Sequence, residues 1–75
     1  MNNQRRKKLK DWIRKAQGLK NDLENIAMEE EMAFESMPEG LQSTMNGMNS
    51  EEAIDKLNEA IECVEESIDC INEII

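Results

Sequence analysis

Two thiols and seventeen carboxylates are the side chains here best suited to nucleophilic or acid–base chemistry, since the chain has neither His nor Tyr. Cys63 and Cys70 lie seven residues apart. On a helix that spacing separates their Cα atoms by ~10.5 Å, beyond the ~7 Å that a disulfide tolerates, so two reduced thiols of a cytosolic protein are expected. No adjacent base would activate either thiol. Two Cys without His do not make up a zinc set, and the Glu-x-x-His pattern of carboxylate-bridged metal sites in helical bundles is missing. The carboxylates belong to expected solvated faces, where nothing raises their pKa toward neutral acid or base work. Neither a glycine-rich phosphate loop nor a calcium-loop spacing occurs. The expected inventory is therefore no enzyme, no cofactor and no metal.

Charge is the stronger signal. Residues 1–20 hold eight Lys or Arg against Asp11 alone, whereas residues 21–75 hold sixteen acids against Lys56, giving a net charge of -8. Arg5, Arg6, Lys7, Lys8, Lys10 and Arg14 are the candidate anion-binding residues. Their leading reading is plainer: in an antiparallel hairpin Arg5 to Lys15 would lie alongside Glu62 to Glu73 and form solvated ion pairs. An anionic ligand or protein, nucleic acid phosphates and a membrane surface are the competing readings. Nucleic acid is disfavoured by overall acidity and by a single Trp and a single Phe. A membrane is disfavoured because the apolar helix face is needed for a partner helix. Conversely, the acidic rows of the second half would imitate a nucleic acid backbone, although such rows are usually solvated faces.

The elements that carry these charges are helical. Ile54, Leu57, Ile61, Val64, Ile68, Ile71 and Ile75 alternate by threes and fours, the pattern of a helix packed along one seam. Ile54, Leu57, Ile61, Val64, Ile68 and Ile71 are the candidate oligomer seam. "AIDKLNE", "AIECVEE" and "SIDCINE" repeat at seven residues, with Ala53, Ala60 and Ser67 beside the seam so that a second helix can approach closely. Asn49 and Glu52 have the form of a capping box, with Glu51 and Glu52 in the first turn, which predicts a helix over about 50–74. The first half predicts a helix over about 4–35, with Leu9, Trp12, Ile13, Ala16, Leu19, Leu23, Ile26, Ala27 and the Met32–Phe34 stretch on one broad stripe. Both charge clusters of that helix oppose its dipole. No run approaches the ~18 apolar residues of a membrane span, and the basic N-terminus lacks the apolar core of a secretory signal.

Between the halves lies a connector, expected at 36–49. Pro38 cannot continue a helix but suits the first turn of a new one, so a short turn at "PEGLQ" is expected, then a second break at Asn46, Gly47 and Asn49. Phe34, Met37, Leu41, Met45 and Met48 give this connector an apolar content. They either cap the end of the helix pair, Met being a common gap filler, or form an adaptable partner-binding patch.

"AFESMPEGLQ" followed by "EEAIDKLNEAIECVEESIDCINEI" resembles a group of small, mostly uncharacterised acidic helical proteins of phages and mobile elements of low-GC Gram-positive bacteria, in which an "AFxxMPExLQ"-like turn precedes a repeated "AIDxLEEAI" helix. The resemblance covers roughly residues 24–75. It implies a phage or mobile-element setting in a bacterial cytoplasm and carries no activity with it.

These readings converge on an all-α, single-domain, two-helix antiparallel hairpin with a short connecting turn. Self-association into a helical bundle would complete its core, because 75 residues bury only about 60% of the surface exposed on unfolding. The expected function is that of a non-enzymatic interaction protein, an oligomeric inhibitor or modulator of a host or defence protein. A counter-defence protein that sequesters an anionic nucleotide signal is the alternative, and a phage structural or assembly accessory the third. The expected partners are a second copy of the chain and that host or defence protein, with no membrane.

Overall fold

The computed structural model describes residues 1–75 as three helices, α1 (Asn3–Glu35), α2 (Glu39–Gln42) and α3 (Met45–Asn72), with no strand. Asn2 starts α1 from an extended conformation, and its Oδ1 accepts the Arg5 N–H at 2.9 Å. That bond satisfies one of the donors every helix start leaves free. At the other end the Ser36 hydroxyl donates to the Met32 carbonyl at 2.8 Å, and the Met37 N–H donates to Phe34 at 3.1 Å. The helix ends just ahead of Pro38, which would clash with a preceding helical turn.

Helices α1 and α3 lie side by side and run in opposite directions. Ile13 and Ala16 meet Ile68, with Val64, Ile71 and Ile75 packed around them. On α1 the less exposed positions are Arg6, Leu9, Ile13, Ala16, Lys20, Leu23, Ala27, Glu30 and Phe34, an alternation of threes and fours that keeps one narrow ridge against α3. On α3 the matching ridge runs from Gly47 through Ser50 and Ile54 to Ile71. Ile54, Leu57, Ile61, Val64 and Ile71 are half-buried and Ile68 buried, so the α3 seam faces α1 of the same chain.

The result is a rod of 58 × 15 × 12 Å with a radius of gyration of 17.1 Å, where a compact chain of this length would reach about 11 Å. A rod two helices wide has little interior. Its buried apolar side chains are Ile13, Ala16, Ala27 and Ile68, none of them fully enclosed.

Two corrections concern the connector. It is not one segment over 36–49, because α3 begins at Met45 and a third helix, α2, is folded in before it. Pro38 stands one residue ahead of α2, and its carbonyl accepts from Leu41 and Gln42 at 2.8 and 3.1 Å. The break falls at Ser43 and at Thr44, which is extended and starts α3. Asn46, Gly47 and Asn49 are helical, so the Asn49–Glu52 capping box does not form, and Glu51 and Glu52 lie beyond the first turn.

Gly47 explains why. Inside a helix glycine costs about 1 kcal/mol relative to Ala, which reads locally as a breaker. Here Gly47 is buried under α2, and a Cβ would overlap the Gln42 backbone, within 2.6 Å of its Cα. The missing side chain is what lets the two helices cross.

Candidate interaction surfaces

Two flanks border the α1–α3 ridge, and they differ in chemistry. On one, Trp12, Ala16 and Leu19 of α1 face Cys63, Val64 and Ser67 of α3 across a shallow groove of about 210 Å³. Ile26 follows Leu19 by seven residues, and Ala60 and Ala53 precede Ser67 by seven and fourteen, so the same flank continues toward the turn. Trp12, Leu19 and Ile26 are 42, 62 and 49% exposed, too much for members of a closed core. The broad stripe expected on α1 is thus split: Ile13, Ala16 and Ala27 are buried, while Trp12, Leu19, Ile26 and Met32 face water.

On the other flank Gln17 and Lys20 of α1 face Glu65, Asp69 and Asn72 of α3. Lys20 stands on the ridge itself, half-buried, with its Nζ 3.0 Å from Glu65 and 3.7 Å from Glu24. Hydrogen bonding to Glu65 is the main cause that holds its ammonium above the ordinary lysine pKa. Coulombic attraction to Glu65 and Glu24 adds to it, and desolvation works against it.

The expected ion pairing of Arg5 to Lys15 with Glu62 to Glu73 does not form. Apart from Lys20, the ion pairs are Asp11–Arg14 at 3.4 Å and Lys56–Glu59 at 3.2 Å, both within one helix and exposed. Long exposed side chains gain little from pairing in water and lose rotamer freedom by it. Arg5, Arg6, Lys7, Lys8 and Lys10 therefore stand without ionic partners at the end of the rod. Arg6 donates only to Asn3 Oδ1 at 3.3 Å, and Arg5 and Lys8 border a hollow with Met1, Leu9 and Ile74. Arg14 pairs with Asp11.

The turn end divides its apolar groups into two sets. Phe34 and Met37 are half-buried, and the Gln42 side-chain amide donates to both of their carbonyls, at 3.2 and 3.1 Å. Leu41, Met45 and Met48 are exposed. Gln42 escaped the sequence reading because an amide binding two carbonyls has no periodic signature. The flank of Trp12, Leu19 and Ile26 did leave a signal, their common seven-residue spacing.

Cys63 and Cys70 are free and exposed, and no three Cys, Asp or Glu side chains converge where a metal would sit. No helix is long and apolar enough to cross a membrane. Comparison with protein-family models, curated proteins and solved structures finds no match to this chain.

Proposed function

We propose that the chain is a non-enzymatic interaction protein of a phage or mobile element, an oligomeric inhibitor or modulator that engages a host or defence protein with the turn end of its rod. One observation carries the reading. Closure of the turn uses Phe34, Met37, Gln42 and Gly47, whereas Leu41, Met45 and Met48 stand in water and close nothing. Exposed methionines are polarizable and flexible, which suits them to adapt to a partner's surface. The phage setting is supported by the likeness of the "AFESMPEGLQ" turn alone.

Assembly into a helical bundle belongs to the same reading. A chain of two long helices has one layer and exposes the apolar flank of Trp12, Leu19 and Ile26. Meeting a second helix pair is the ordinary way to cover such a surface.

The test is capture from host lysate by the tagged wild-type chain and by a Leu41→Asp, Met45→Asp double variant. A protein recovered by the wild type and lost by the variant supports the proposal. The variant should keep its stability within about 0.5 kcal/mol, as exposed substitutions usually do. Equal recovery of the same protein by both would sink it.

The unpaired basic end favours a second reading, sequestration of an anionic nucleotide signal, since Arg5 and Lys8 have no ionic partner in the chain. Mass spectrometry of the denatured purified protein distinguishes the two. A released nucleotide that disappears in Arg5→Ala would move the function to that end.

A further inference from the structure

We infer that the flank of Trp12, Leu19 and Ile26 with Ala53, Ala60 and Ser67 receives the same flank of a second copy, the two rods running in opposite directions about a two-fold axis at Leu19. The inference rests on the proposed assembly and specifies its geometry.

The row is self-complementary about its middle residue. An isologous contact requires that if residue i meets residue j, then j meets i. With the axis at Leu19, each Trp12 lies across from Ile26 of the other copy and the two Leu19 side chains meet. Across this axis α1 lies on α1 and α3 on α3, so the small residues of α3 on the same flank, Ala53, Ala60 and Ser67, face the small residues of the other copy and let the rods approach closely. Leu19 is also the middle of α1, which spans Asn3–Glu35, so this axis gives the longest overlap. A face 58 Å long and 15 Å wide is similar in size to the ~800 Å² that each partner buries in a standard stable interface.

Charge selects the direction. At the basic end, residues 1–20 and 60–75 together carry eight cations and six anions, whereas residues 21–59 carry one cation and eleven anions. Parallel rods would place the two acidic regions together. Antiparallel rods set Arg5 and Lys8, which lack partners within the chain, against the stretch of the other copy that holds Glu29, Glu30, Glu31 and Glu35. Opposite charges across an interface steer its orientation and like charges penalise the alternative.

The axis also makes the two thiols unequal. In the hairpin Lys20 of α1 pairs with Glu65 of α3, so Leu19 is level with the neighbourhood of Val64. Cys63, exposed and on the groove, therefore lies close to its own symmetry mate. Cys70 lies a further seven residues along, which separates the two Cys70 by roughly 20 Å along the rods.

The experiment combines sedimentation of the full chain with cross-linking by a short bismaleimide, using wild type, Cys63→Ser, Cys70→Ser and Leu19→Asp. The expected result is a dimer at tens of micromolar, with Trp12 emission shifting to the blue on association. A covalent dimer should form in wild type and Cys70→Ser and fall to background in Cys63→Ser, while Leu19→Asp should be monomeric with its helicity retained. A dimer that cross-links equally through Cys70, through neither thiol, or in spite of Leu19→Asp overturns the arrangement but not the assembly. A monomeric wild type overturns both, whether it is free in solution or bound to anionic vesicles.

Discussion

The two flanks of the helix pair are built on the same ridge and have opposite character. One shows water Trp12, Leu19 and Ile26, and the other shows Gln17, Lys20, Glu65 and Asn72. The polar flank is finished within the chain: Lys20 reaches Glu65 and its stem lies against the ridge, the usual way a long cation covers apolar surface. The apolar flank is not finished. Its large side chains sit on α1 and its small ones on α3, a division that leaves a groove rather than a seal. The contrast teaches that a helix pair can be ordered along its ridge while still leaving large apolar side chains in water along one flank.

The largest effect is expected where both flanks depend on the same support. Ile68→Asp places a charge among Ile13, Ala16, Val64 and Ile71, and an unpaired charge in an apolar seam costs several kcal/mol. Loss of the cooperative melt by circular dichroism is the expected outcome. A well-folded Ile68→Asp would mean that the ridge is not what holds the flanks apart.

Gly47→Ala should have the next largest effect. The added methyl overlaps the Gln42 backbone, and relief requires α2 to move at a cost of about 1–3 kcal/mol, the range seen for overpacking. Because α2 governs how α3 enters the pair, the shift would also change which residues of α1 and α3 stand level. A lower melting temperature is expected, whereas an unchanged or raised one would show that helix propensity outweighs the crossing.

The smallest effect tests the polar flank. The pKa of Lys20 is raised in the folded chain above its ordinary 10.5, so folding favours the protonated amine. Its contribution is therefore fully present below that ordinary value and is lost as pH rises through the folded one. The difference in melting temperature between wild type and Lys20→Met should stay level from pH 7 to about 9 and shrink as pH rises past the ordinary lysine value of 10.5. A difference that grows with alkalinity would reverse the assignment.

Much of this architecture is legible in the chain itself. The threes and fours from Ile54 to Ile75 define the inner face of α3, because residues at that spacing share one side of a helix and no other arrangement buries them together. Pro38 and Ser36 mark the end of α1 for equally local reasons. On α1 the apolar stripe is broader than a ridge, and periodicity does not say which edge of a broad stripe meets the neighbour. Trp12, Leu19 and Ile26 thus read as core although they stand outside it. The connector misled for the opposite reason, since Gly47 and its flanking Asn residues carry the local marks of a break.

What the sequence determined by itself was helix content, the α3 seam and the stop at Pro38, all consequences of backbone sterics and of side-chain spacing along one element. What only the tertiary structure decided was the register of α1 against α3, and with it the choice of Lys20 as the cation that crosses to Glu65. Arg5 to Lys10 offer more charge, but an ion pair needs proximity: Lys20 reaches Glu65 at 3.0 Å, whereas the half-buried Arg6 reaches only Asn3 of its own helix. The same holds for Gly47: its helix cost is a property of one residue, whereas the space its missing Cβ leaves has meaning only once the Gln42 backbone lies there.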